Sequence, residues 1–161
     1  MKIHDKGERK MKVIMKNDYF EIDTAREQAL RNGRETEFLY VENLVRKFHT
    51  FSNDSIFYSK NMFEKDKNYQ LYFFLEEEVV IGEFILDEEC EELATITRMK
   101  YKNIDEVKLS YLEGDPNKEF PNKLEIVFNT GKTIELNSIV DGNGEKLHSF
   151  INKIERIYSI L

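Results

Sequence analysis

Residues 123–161 constrain the fold of this chain more than any other stretch. Leu124, Ile126 and Phe128 alternate as on a strand with one buried face. Asn129, Thr130, Gly131 and Lys132 make a turn, and Ile134 and Leu136 begin a second strand. A long helix follows, on which Leu147, Phe150, Ile151, Ile154, Ile157, Tyr158 and Leu161 recur at spacings of three and four, so seven apolar side chains share one stripe. A hairpin followed by a one-sided helix must bury that stripe against a sheet.

Upstream, the pattern is extended: Ile56, Phe57 and Tyr58 make a short apolar centre, residues 69–75 are dense in aromatics as in a buried strand, and Val107, Leu109 and Tyr111 alternate with Lys108 and Ser110. Short strands are expected at residues 55–59, 69–75, 79–86, 93–101 and 104–112, separated by polar turns. The stretch from Glu113 to Asn122 holds both prolines and reads as an exposed loop. With the hairpin this makes seven successive strands and no intervening helix, which excludes a parallel crossover sheet. The expected fold is α+β: a seven-stranded antiparallel barrel or sandwich capped by the C-terminal helix.

Before the strands the period is helical. Asp23 is expected to cap a short helix from Thr24 to Asn32 that stops at Gly33. A second helix, about Thr36 to His49, puts Phe38, Val41, Leu44, Val45 and Phe48 on its core side. Leu39 and Tyr40 fall outside that arc and are candidates for an exposed apolar patch. That face can be buried internally, paired with a second copy as a homodimer, or left open. The chain thus divides into a basic arm (1–16), a helical extension (17–52) and a capped β domain (53–161), with 161 residues sufficient for one core.

This order of elements resembles the pleckstrin-homology fold, in which seven strands form a bent antiparallel barrel closed by a C-terminal helix. The resemblance covers about residues 53–161 and is closest in Tyr101, Ile104, Val107 and Leu109, the Leu124–Phe128 strand, the Asn-Thr-Gly-Lys turn, Ile134, Leu136 and the capping helix. It points toward small uncharacterised bacterial and phage members of that class. It implies a scaffold and no particular activity. The tryptophan usual in the capping helix is missing. Where phosphoinositide-binding members cluster cations, this chain offers Lys60, Lys65 and Lys67 followed by Glu76, Glu77 and Glu78, so lipid binding is not implied.

The formal charge is -7, and its acidic surplus lies in the middle of the chain, where residues 51–92 carry three Lys/Arg against twelve Asp/Glu. Glu76, Glu77 and Glu78, and Glu88, Glu89, Glu91 and Glu92, are expected in hairpin turns, where solvated charge is the plainer reading than a cation site. Such turns repel phosphate, which argues against nucleic acid and anionic membrane as partners. The first sixteen residues are basic, with six Lys/Arg and two acids, but lack the interleaved aromatics that single-strand binding uses. No apolar run is long enough to span a bilayer and no signal segment opens the chain, so a cytoplasmic location is expected.

Chemistry is sparse. His4, His49 and His148 have no second His or Cys at helical spacing, so no local pair can ligate a metal. Cys90 sits among five acids that disfavour its thiolate. Asp141, Asn143 and Glu145 lack the frame of a calcium loop, and Asp141 or Asn143 is expected to cap the last helix. No phosphate loop, nucleophile elbow or zinc motif is present, and neither a catalytic residue nor a cofactor is assigned. The reading that follows is a non-catalytic module binding an unidentified protein partner through Leu39, Tyr40 and the acidic turns. One alternative is a small-ligand binder lined by Tyr69, Tyr72, Phe73 and Phe74. A hydrolase using distant acids is the other.

Overall fold

In the computed structural model, residues 22–52, 54–113, 120–144 and 146–161 are described. The basic arm, His4, Glu145 and most of the proline loop lie outside them. The elements in order are α1 (residues 22–31), α2 (Glu35–Arg46), β1 (Ile56–Lys60), β2 (Tyr69–Phe74), β3 (Glu78–Phe84), β4 (Ala94–Lys100), a 3-10 turn (Tyr101–Asn103), β5 (Ile104–Tyr111), β6 (Asn122–Phe128), β7 (Thr133–Asn137), α3 (Ser138–Gly142) and α4 (Leu147–Ile160).

All seven expected strands are present in order and the class is α+β. The strands form two antiparallel sheets, however, ordered β1-β2-β3-β4 and β5-β6-β7, and not one continuous wall. The 3-10 turn at Tyr101–Asn103 joins β4, the last strand of one sheet, to β5, the first of the other. The chain divides into two compact units. The first comprises the described residues up to Glu76 with Val80–Thr97, and the second comprises Glu77–Val79 with Arg98–Leu161.

In the first unit β2 is buried on both faces, which explains its nearly unbroken apolar run. Register pairs Phe57 with Phe73 and Tyr58 with Tyr72. Phe57, Tyr69, Leu71 and Phe73 join Ala29, Phe38, Val41 and Val45 in one core beneath the helices. Tyr58, Tyr72 and Phe74 alternate to the opposite face. The four aromatics expected to line a cavity are therefore split between two faces. Tyr69 is fully buried, its hydroxyl has no hydrogen-bond partner, and loss of water raises its pKa above the ordinary range.

The helices meet this sheet closely because of one residue. A Cβ built on Gly82 of β3 would overlap the Val41 side chain and come within 3.0 Å of Val45. A glycine inside a strand here marks close backbone approach.

The α1–α2 junction is equally specific. Gly33 adopts φ +71, with its N–H donating to Leu30 and that of Arg34 to Ala29, a Schellman stop as expected. Asp23 lies inside α1 instead of capping it, and accepts from Arg26 at 2.7 Å. Arg34 is 1% exposed and donates to the carbonyls of Asn61, Glu64 and Lys67 and to Glu37, over the Tyr69 ring. A single guanidinium thereby fixes the whole β1–β2 loop. Buried Glu42 likewise binds Arg26 of α1 and Arg46 of α2, at 2.8 and 2.9 Å. The second helix ends at Arg46, short of the expected His49, so Phe48 leaves the core and is 70% exposed.

In the second unit β6 alternates strictly, and rows such as Leu109–Leu124–Leu136 run across the sheet. Helix α4 packs on β6 and β7, burying Phe150, Ile151, Ile154 and Ile157, each worth about 1.5–3 kcal/mol. Tyr158 of the expected stripe faces solvent, and Leu147 and Leu161 are half-buried. Neither Asp141 nor Asn143 caps α4. A short helix intervenes, capped by Asn137, whose side chain accepts from the Ile139 and Val140 amides, and Asn143 ends it at φ +48. Buried Asp141 accepts from the Asn137 N–H at 2.9 Å. Asn122, expected in the exposed loop, is wholly buried. Its N–H donates to Ser138, and its amide donates to the Ile151 carbonyl of α4.

Two outcomes follow. Gly82→Val forces α2 off the sheet and lowers stability by about 1–3 kcal/mol or more, read as a lower urea midpoint. Arg34→Met strands three carbonyls and costs about 3 kcal/mol or more. Amide exchange should accelerate first at residues 61–68.

Candidate docking surface

The β1–β2 and β3–β4 loops are joined at one end of the first unit by side chains with no apolar signature. Asn68 is the link: its amide donates to Glu83 at 3.1 Å, and its carbonyl oxygen accepts from the Leu86 N–H at 3.0 Å. Gln70 donates to the same Glu83 oxygen at 3.0 Å, and the Tyr72 hydroxyl donates to Gln70. An ionised carboxylate is acceptor-only, so two amide donors on Glu83 hold it as a fixed strut.

Beyond that strut, the Ile85 N–H donates to the Leu93 carbonyl at 2.9 Å and closes the β3–β4 loop at its base. Within it the Cys90 N–H donates to the Asp87 carbonyl, and the Glu89 N–H to the Asp87 carboxylate, a local turn that sets the loop's course. Asp87, Glu88, Glu89, Glu91 and Glu92 are all exposed. The Cys90 thiol donates to Glu92 at 2.8 Å. That hydrogen bond first, then the charges of Glu92 and Asp87, raises the thiol pKa above its ordinary value.

On the helical side Tyr40 is 44% exposed and stands edge-on to Phe84, the last residue of β3, with ring centroids 5.8 Å apart. Leu93, half-exposed, adjoins at the loop base. The close approach allowed by Gly82 places Tyr40 here, since Val41 lies over Gly82, two residues before Phe84.

The candidate residues accordingly separate into three groups. Tyr40 and the Glu88, Glu89, Glu91 and Glu92 carboxylates share one end of the first unit. Glu76, Glu77 and Glu78 lie at the turn into β3, at the opposite end of that strand, so the two acidic runs do not make one face. Leu39 is half-buried and packs against the core of the first unit. Phe84, Leu93 and Asn68 were not legible as surface residues. A glycine two positions before Phe84 was the signal available.

Neither remaining histidine gathers ligands. His49 is half-buried at the end of α2, and the exposed His148 ring lies 3.2 Å from the Asn152 amide. Among the described residues no three His, Cys, Asp or Glu side chains are placed to hold a metal ion, and no helix is long and apolar enough to cross a membrane.

The site and fold define a class: a two-sheet α+β protein whose helical layer and one acidic loop frame an aromatic pair. Residues 10–153 match the model of a family described as a protein of unknown function (DUF3908), and the chain belongs to that family. No curated protein and no solved structure matches it.

The thiol is the first point to test. Cys90 should alkylate with iodoacetamide at pH 8 more slowly than a free cysteine. Glu92→Gln should accelerate it severalfold by lowering the thiol pKa, and equal rates would contradict the hydrogen bond.

Proposed function

We propose that the chain is a non-catalytic, cytoplasmic protein-binding module on a pleckstrin-homology-like scaffold. The order of seven antiparallel strands followed by a capping helix supports the scaffold. The function rests on one observation: a solvent-facing tyrosine set edge-on against Phe84, on a rigid rim. Aromatic side chains that present large area with few rotatable bonds are preferred anchors of protein interfaces. The rim is preordered by Asn68, Glu83 and Arg34, so docking loses little conformational entropy there.

The polar groups near the rim serve this rigidity. Glu83 is saturated on one oxygen by two amides, and Cys90 is held as a thiol, an arrangement suited to a fixed surface and ill-suited to nucleophilic attack.

Immobilised protein in a lysate of the native host should retain a protein that Tyr40→Ala loses about tenfold, the usual order for a central aromatic anchor. Val140→Ala, which truncates an exposed apolar side chain on α3, should retain it. Equal recovery with Tyr40→Ala and the wild type would reject the surface.

A further inference from the structure

We infer that the partner surface docking at Tyr40 and Phe84 is a cationic amphipathic protein segment, an inference that rests on the docking surface above. Two independent features of the same end of the first unit lead to it. The first is the aromatic pair, in which exposed Tyr40 and half-buried Phe84 offer an apolar side chain a place to lie. The second is the charge of the loop beside that pair. Residues 85–93 carry five carboxylates and no Lys or Arg. The joined β1–β2 loop does not neutralise them. Residues 61–68 balance two acids with two lysines, and Lys67 is paired with Glu64 at 2.9 Å.

Among the described residues, none of the five carboxylates is paired with a lysine or arginine. Their mutual repulsion is held in place by the Ile85–Leu93 closure and the Asp87 turn. Opposite charge brought within about one Debye length, roughly 10 Å at 0.1 M salt, relieves that repulsion and steers encounter. Apolar contact at Tyr40 then sets residence time, because charge at a rim acts mainly on association and a buried anchor on dissociation. The order along β3 gives the spacing. Phe84 ends the strand and Asp87 follows three residues later, so a bound segment needs cations one or two positions from its apolar anchor. Nucleic acids and anionic membranes are repelled by the same loop.

The test uses the full chain and three fluorescent peptides of about 14 residues: a Lys/Leu amphipathic sequence, its Glu/Leu counterpart, and a Lys/Ser sequence of equal charge. Anisotropy should show binding of the Lys/Leu peptide alone, weakening at least about tenfold from about 50 to about 300 mM salt. Replacing Glu88, Glu89 and Glu91 by Gln should weaken it about tenfold. These three are exposed, and their side chains carry none of the loop's own hydrogen bonds. Replacing Glu76 and Glu77, also exposed but at the other end of β3, should leave binding unchanged. Tyr40-dependent binding of the Glu/Leu peptide would overturn the cationic partner while leaving the docking surface standing. Binding of Lys/Leu and Lys/Ser peptides alike, indifferent to Tyr40→Ala, would overturn both.

Discussion

The closeness of α2 to the first sheet depends on a missing side chain. Gly82 lets Val41 and Val45 reach the backbone of β3. With α2 seated at this depth, Phe38 meets Phe57 and Tyr69 edge-on in the core. Tyr40, two residues further along α2, is then carried to the sheet's end, against Phe84. A bulkier residue at 82 would displace the core and the rim together. Stability and the candidate docking surface therefore share one steric condition.

The same layer contains two buried charged groups, and the sense of each differs. Glu42 is satisfied by Arg26 and Arg46 and ties α1 to α2, a helix-to-helix connection. Arg34 is satisfied mostly by carbonyls of a loop 27 to 33 residues away, a helix-to-loop connection. Replacing either pair of connections by apolar contact could maintain burial, but it would not specify where the β1–β2 loop lies. Since Asn68 in that loop anchors Leu86 and Glu83, the position of the acidic loop descends from Arg34 through a chain of directional bonds.

What was legible in the sequence follows the same division. Local apolar pattern located the seven strands and α4: β6 alternates, β2 is an apolar run because both its faces are buried, and the α4 stripe repeats at three and four. Glycine located the α1 stop, since positive φ is a property of the residue itself. The long-range polar groups were invisible. Arg34, Glu42 and Asn122 carried no local sign of burial, because beyond the helical neighbours Glu37 and Arg46 their partners lie between 16 and 33 residues away. Helix ends failed for a related reason. The periodicity continued to Phe48, but past Arg46 the Lys47 and Phe48 N–H groups reach back only three residues, to Leu44 and Val45, and this tighter turn takes Phe48 off the buried stripe. At α3, the Asn137 cap outcompeted a direct entry into α4.

The candidate site was half legible, and the half that misled did so geometrically. Two acidic runs close in sequence looked like one face, yet a strand of seven residues separates its two turns by about 20 Å at 3.3 Å per residue. Antiparallel connection places successive turns at alternate ends of the sheet, so only every second turn can share a surface. By that rule the sheet partner of the β3–β4 loop is the β1–β2 loop, which is itself held from the α1–α2 junction. Asn68 makes the link to Leu86, and Arg34 holds the loop that carries Asn68 through the Lys67 carbonyl. The turn between β2 and β3 belongs to the other end, and its carboxylates can contribute only a distant, screened potential to anything bound beside Tyr40.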